Sequence, residues 1–160
     1  MGVEIEYKFL LRNDRWRQQV ERSVYMRQGY LASDAHCSVR VRIANNQGFL
    51  NIKSSTIGIQ RIEYEYLIPL TEAEEILETL CEKPFLEKTR HFLSHDQHTW
   101  EIDEFSGENA GLIVAEIELS HPDEQLIQPD WIGENVSYDI RYYSVQLARH
   151  PYKNWLCQSS

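Results

Sequence analysis

The chain's 160 residues, 42% hydrophobic and 26% charged, suit one globular domain with a core of its own. A formal net charge of −9 argues against a nucleic-acid partner, because phosphate backbones are held by basic footprints. No apolar run nears the ~20 residues that span a bilayer, no leader precedes the first strand, and Cys37, Cys81 and Cys157 lack C-x-x-C spacing, so a cytoplasmic protein without a membrane partner is expected.

The first residues alternate. Val3, Ile5, Tyr7 and Phe9 fall on one side of a strand, and Glu4, Glu6 and Lys8 on the other. Two carboxylates roughly 7 Å apart along a strand repel unless a cation lies between them or a base opposite. Asn13 or Asp14 then caps a predicted short helix through about Arg22, with Trp16 and Val20 on its inner face. A strand near Tyr25 to Leu31 follows. Ser38 to Ala44 alternates strictly, is closed by the turn residues Asn45 to Gly48, and returns as Phe49 to Lys53. Gln60 to Ile68 alternates again, with Ile62, Tyr64 and Tyr66 set against Arg61, Glu63 and Glu65. Thr71 to Glu74 reads as a capping box opening a helix whose stripe is Ile76, Leu77 and Leu80 and whose stop is Pro84. Three more strands are predicted at Leu86 to Ser94, His98 to Glu104 and Leu112 to Ser120. Pro122 and Pro129 mark a loop, and a last helix, about Tyr143 to Arg149, ends at Pro151. Eight strands joined mostly by hairpins predict a mainly β, α+β chain whose antiparallel sheet closes into a barrel with a few short peripheral helices.

The polar faces share a habit. Glu4 and Glu6, Glu63 and Glu65, Glu101 and Asp103, and Glu116 and Glu118 are acid-x-acid pairs. Arg40 and Arg42, then Lys88 and Arg90, are base-x-base pairs, while Lys8, Lys53 and Arg61 stand alone on matching faces. A solvent-facing sheet favours mixed signs over such like-charge pairing. A lumen in which acids share hard divalent cations, Mg²⁺ or Mn²⁺, and bases hold a polyanion bridged to them would resolve the repulsion. Triphosphate suits that description, with Arg forks on phosphate oxygens and Lys adding point charge. The apolar faces would then point outward, covered by the helices and the tail with Tyr152 and Trp155. Alternation alone equally allows an ordinary barrel with a greasy interior and a charged skin.

These residues resemble a known family. Glu4-Ile-Glu6-Tyr-Lys8 is similar to the E-x-E-x-K signature of the CYTH superfamily, the triphosphate tunnel metalloenzymes. Gln28-Gly-Tyr30, Val39-Arg40-Val-Arg42, Asn51-Ile-Lys53, Arg61-Ile-Glu63-Tyr-Glu65, Lys88-Thr-Arg90, Trp100-Glu-Ile-Asp103 and Ala115-Glu116-Ile-Glu118 follow in the family's order. The resemblance implies a single domain over residues 1–160, an eight-stranded antiparallel tunnel for triphosphate and divalent metal. It implies metal positions at Glu4, Glu6, Glu63, Glu65, Asp103, Glu116 and Glu118. It implies phosphate contacts at Lys8, Arg40, Arg42, Lys53, Lys88 and Arg90, with Tyr30 in a matching substrate motif. Glu4, Glu6, Lys8, Lys88 and Arg90 would carry the chemistry, and Arg61 would buttress the acids by salt bridges. Glu101 is not carried over. One departure is Ser144, which follows Tyr143 where the family has asparagine and is read as a helix cap.

For short bacterial members the resemblance implies hydrolysis of inorganic triphosphate to pyrophosphate and phosphate, by a monomer or homodimer. Class IV-type adenylate cyclase, thiamine triphosphatase, a non-catalytic polyphosphate-binding module and a lipocalin-like carrier are the alternatives. His95 and His98 sit three apart at a turn with no third ligand nearby, so surface placement is expected rather than zinc. Trp16, Trp100, Trp131 and Trp155 read as packing anchors. There is no G-x-x-x-x-G-K-[ST] loop and no G-x-G-x-x-G, so a helix N-terminus is not the phosphate-binding device here.

Overall fold

In the computed structural model, which describes residues 2–155, nine strands carry the chain. They are β1 (Val3–Leu11), β2 (Arg22–Ser33), β3 (Cys37–Ala44), β4 (Gln47–Ser54), β5 (Gln60–Ile68), β6 (Leu86–His95), β7 (His98–Ser106), β8 (Ile113–Leu119) and β9 (Ile132–Asn135). Helix α1 spans Leu70–Thr79 and α2 spans Ser144–Arg149. The strands pair antiparallel in the order β5-β4-β3-β2-β6-β7-β8-β1, and β1 pairs back onto β5, so eight strands close a barrel. β9, which alternation does not announce, adds to the outer part of β1. Cys157 lies outside the described residues.

Tight hairpins set the register. Asn45 and Asn46 between β3 and β4 both have positive φ, at 53° and 59°, and Asp96 and Gln97 repeat this between β6 and β7. That geometry matches the right-handed twist of the flanking strands. With register fixed, every second residue is committed to one face.

The apolar face points outward. Ile5, Phe9, Ile102, Ala115, Ile117 and Leu119 on the barrel wall pack with Trp16, Trp100, Trp131 and Ile132 into the largest buried cluster. On the opposite flank, Val41 of β3 meets Ala73, Leu77 and Cys81 of the α1 segment. Tyr152 and Trp155, expected over the wall, instead back a third cluster at one barrel end. There Leu147 of α2 packs on Tyr30, Leu86, Phe105, Leu112 and Val114, whose side chains come from the inner face.

Several local expectations change. The segment after β1 is a short 3-10 turn over Arg15–Gln19, because Arg22 already opens β2, and Asp14 makes no capping hydrogen bond. Asn13 does bond the Arg15 backbone N–H, at 2.9 Å. The capping box of Thr71 and Glu74 does not form: Pro69 precedes the helix and Thr71 falls inside its first turn. The buried stripe of α1 is Ala73 and Leu77, continued by Cys81, while Leu80 is 64% exposed. The helix ends at Thr79, well before Pro84. Ser144 is the first residue of α2 rather than its cap, which is Tyr143, and no side chain caps that helix. His98 is part-buried at the hairpin end rather than fully exposed: its Nε2 lies 2.6 Å from Glu124 and its side chain is 15% exposed.

Candidate active site

The inner faces of β1 to β8 line a cavity of about 500 Å³, roofed by Ser144, Val145, Gln146 and Arg149 of α2. Its wall holds Glu4, Glu6, Lys8, Tyr30, Arg40, Arg42, Lys53, Arg61, Glu63, Glu65, Lys88, Arg90, Glu116 and Glu118. Glu101, set aside on sequence, lines it too. A charged lumen within an apolar shell is therefore the arrangement that the alternating pattern takes.

Cross-strand register explains part of the charge balance. Lys53 stands opposite Glu63, Lys8 opposite Glu116, Arg90 opposite Asp103 and Glu4 opposite Arg61. Lys53 Nζ is 3.1 Å from Glu63 and 3.3 Å from Glu4, and Lys8 Nζ is 3.3 Å from Glu116. Other acids face acids: Glu6 is opposite Glu118, and Glu101 opposite Glu116. Protons are shared between Glu4 and Glu63 and between Glu6 and Glu116. Burial raises Glu4 to about 7, Lys53 opposing and Glu63 adding to the rise. Burial and then the Glu116 carboxylate raise Glu6 well above its ordinary range. Burial also pushes Glu116 upward, but Lys8, the hydrogen bond from Glu6 and Arg90 outweigh it and hold that carboxylate well below its ordinary range. In Glu63 burial is likewise overcome, by the Glu4 hydrogen bond and then Lys53, bringing it to about 2.

Asp103 differs from the other acids. It is 1% exposed, does not line the cavity, and has both oxygens occupied. Lys88 Nζ donates to Oδ2 at 2.7 Å, and Arg90 donates through Nε to Oδ1 at 2.7 Å and through a terminal nitrogen to Oδ2 at 2.9 Å. The other terminal nitrogen of Arg90 reaches Glu101 at 2.7 Å, and the one bonded to Asp103 Oδ2 also lies 3.2 Å from Glu116. Asp103 thus orients two bases, where the family resemblance implied a metal position. Arg61 departs too: instead of a salt bridge to an acid it donates to the Gly58 carbonyl at 3.3 Å and lies over the Tyr143 ring.

Like Arg61, Arg40 and Arg42 lack a carboxylate partner. Arg40 Nε reaches only the Asn51 side-chain oxygen, at 3.4 Å, and Arg42 Nε donates to Gln28 at 3.0 Å. Among the described residues neither has an ion-pair partner. Burial, then Arg40 and Arg90, pull Arg42 down to about 9. Burial, with Arg90 and Arg42 against Asp103, pulls Lys88 down to about 7. The tyrosine of the substrate motif, Tyr30, is 4% exposed within the end cluster and stands opposite Arg40 on the neighbouring strand rather than presenting a free ring. The lumen therefore sets unneutralised cations on β3 against proton-sharing acids on β1, β5 and β8. That is a site for an anion and a cation together.

The acids suit a hard divalent cation. Glu4 Oε1 and Glu63 Oε2 are buried, make no well-directed hydrogen bond, and have the Lys53 ammonium, at 3.3 and 3.1 Å, beside them, so they are carboxylate oxygens of the kind a hard cation takes. Among the described residues no three acid, His or Cys side chains converge as a closed cage. Mg²⁺ does not require one, since it is commonly held by one or two carboxylates with water and substrate phosphates.

Comparison with known proteins agrees with this geometry. The CYTH domain profile matches residues 2–152. The chain is 50% identical over 157 residues to an inorganic triphosphatase of Acetivibrio thermocellus, covering 97% of this chain and 99% of that one. It is 34% identical over 150 residues to an inorganic triphosphatase of Nitrosomonas europaea, covering 91% and 97%. A solved structure of an inorganic triphosphatase superposes with a TM-score of 0.66 at 32% identity, over 91% of this chain and 93% of that one.

Proposed function

The chain belongs to the CYTH domain family, and from that premise we infer that it is a divalent-metal-dependent triphosphatase, hydrolysing inorganic triphosphate to pyrophosphate and phosphate inside its barrel. The observation that carries this reading is the pair Arg40 and Arg42, buried cations without a carboxylate, facing acids that share protons across the same lumen. A triphosphate supplies the missing negative charge. Charge-assisted bonds to its oxygens contribute about 1.5–3 kcal/mol each.

In this reading Arg40, Arg42, Lys8, Lys53, Lys88 and Arg90 hold the phosphates, and Tyr30 supports Arg40 from behind. Glu4, Glu6, Glu63, Glu65, Glu116 and Glu118 hold Mg²⁺ or Mn²⁺, while Asp103 fixes the direction of Lys88 and Arg90. Such a cation, when bound, neutralises phosphate charge and makes nearby water a better nucleophile. The side chains do the positioning: Arg40 and Arg42 fix one end of the chain so that water meets the terminal phosphorus in line with the bridging oxygen. The new P–O bond forms as the bridging bond breaks, and pyrophosphate leaves with the charge that Lys88 and Arg90 offset. The water's protons pass to phosphate oxygens or solvent.

Purified protein supplied in parallel with inorganic triphosphate, ATP and thiamine triphosphate, with Mg²⁺ or Mn²⁺, tests the reading by product analysis. Phosphate and pyrophosphate from inorganic triphosphate, at a kcat/KM above that for the other two, are expected. Cyclic AMP from ATP as the main product would assign the lumen to cyclase chemistry. Binding without any product would make it a polyphosphate-binding module.

A further inference from the structure

Tyr143 sits where the roof helix meets two lumen strands. Its hydroxyl donates to the Ser137 carbonyl at 2.6 Å and accepts the Gly58 N–H at 3.0 Å. Ser137 in turn is tied to the first strand: Lys8 N–H donates to Ser137 Oγ at 2.9 Å, and Val136 N–H to the Lys8 carbonyl at 2.8 Å. The ring carries Arg61, whose guanidinium carbon stands 4.9 Å from its centroid. Arg61 closes the loop by donating to the Gly58 carbonyl at 3.3 Å. Gly58 has φ of +118°, a conformation glycine adopts freely, so the loop presents its N–H to Tyr143 and its carbonyl to Arg61.

This arrangement sets Arg61 apart from most other lumen bases. Lys8, Lys53, Lys88 and Arg90 are aimed by carboxylates. Arg61 has no ion pair among the described residues, its Nε is buried without a partner, and its charge works against that of Lys8. Only a neutral carbonyl and an aromatic face hold it toward the cavity. A planar guanidinium stacks on such a face in a way an ammonium does not reproduce.

We propose that Tyr143 is a positioning residue for substrate binding: its ring aims Arg61 at the triphosphate, and its hydroxyl pins the start of α2 to the strand that carries Lys8. The proposal rests on the triphosphate reading of the lumen. It makes the roof and the wall one unit, so a change at Tyr143 is read out on a phosphate contact it does not itself make.

The test measures Kd for inorganic triphosphate by titration calorimetry without divalent metal, and KM and kcat with Mg²⁺, for wild type, Arg61→Gln, Arg61→Lys, Tyr143→Phe, Tyr143→Leu and the Tyr143→Leu/Arg61→Gln double variant. Arg61→Gln and Tyr143→Leu each weaken binding about tenfold and raise KM alike, with kcat within about twofold, the pattern of a contact made equally in ground and transition states. The double variant is no weaker than either single one, because both remove the same interaction. Tyr143→Phe, which keeps the ring, stays within about threefold of wild type. Arg61→Lys falls close to Arg61→Gln. Overturning results are a double variant weakened about a hundredfold, a folded Tyr143→Leu with wild-type Kd, or Arg61→Lys at wild-type affinity. The last comparison leaves Tyr143 untouched and decides the matter even if Tyr143→Leu does not fold. Wild type that binds triphosphate without hydrolysing it would defeat the functional reading while leaving the Kd comparison in force.

Discussion

Glu65 and Asp103 both sit on inward-facing strand positions, yet replacing each by its amide has different expected consequences. Glu65 accepts one hydrogen bond, from Asn51 at 2.7 Å, and opens onto the lumen. Glu65→Gln therefore leaves unfolding free energy within about 1 kcal/mol of wild type and raises the metal concentration needed for half-maximal activity. Asp103→Asn leaves Lys88 and Arg90 buried without their shared counter-charge, a loss of about 3–5 kcal/mol on denaturant titration. Equal stability losses in the two variants would contradict this division. The Glu4 carboxyl gives a pH test. Its folded value of about 7 lies above the ordinary 4.5, so between these the folded protein keeps a proton that the unfolded chain has released. That contribution to stability is present at low pH and is lost as pH rises toward 7. A cation entering beside Glu4 must displace the same proton, so metal affinity climbs with pH up to about 7 and then levels. Calorimetry at pH 6 in buffers of different ionisation heat should show proton release on metal binding. Identical affinity at pH 6 and pH 8 with no proton release would count against the assignment.

At the scale of elements, close packing of α1 on the β3–β4 hairpin depends on a missing side chain. A Cβ on Gly48 would come within 2.5 Å of the Ala73 Cβ. Neither atom is the end of a flexible chain, so the helix would have to lift from the wall. Gly48→Ala should cost about 1–3 kcal/mol, read as a drop in Tm, and Gly48→Val more. An unchanged Tm would mean that α1 is not seated on β4 as described. The strands and their hairpins were legible because alternation and paired asparagines are local signals. β9 was not, since Ile132–Asn135 is only four residues with Gly133 inside it, and its pairing depends on where β1 ends. The capping box failed for a related reason: the helix starts earlier than the motif implies, with Pro69 at the N-cap position, so Thr71 already lies inside the first turn and cannot serve as the cap. Which face turns inward could not be read from any one strand, because period two is the same for either choice. Nor could the pattern show that Asp103, one of four acid-x-acid pairs, would be buried beneath two bases, because that depends on cross-strand register and depth.

For the molecule as a whole, the barrel turns a common design inside out. Its apolar core lies between the wall and the pieces wrapped around it, Trp16, α1 and the Trp131 segment, rather than in the lumen. The outer face of β5 lacks such a cover, and Ile62, Tyr64 and Tyr66 are each about half exposed. Buried charge has a cost, and here bases on β3 and acids on β1, β5 and β8 leave that cost partly unrelieved until ligands enter. An Arg40→Ala/Arg42→Ala variant tests this account most directly, measured for triphosphate KM beside its Tm. Removing two mutually repelling buried cations should leave Tm unchanged or higher, while KM for triphosphate rises by about a hundredfold or more from the loss of two charge-assisted contacts. A folded double variant that turns over triphosphate with wild-type KM would contradict the account, because the lumen's free cations would then not be what holds the substrate.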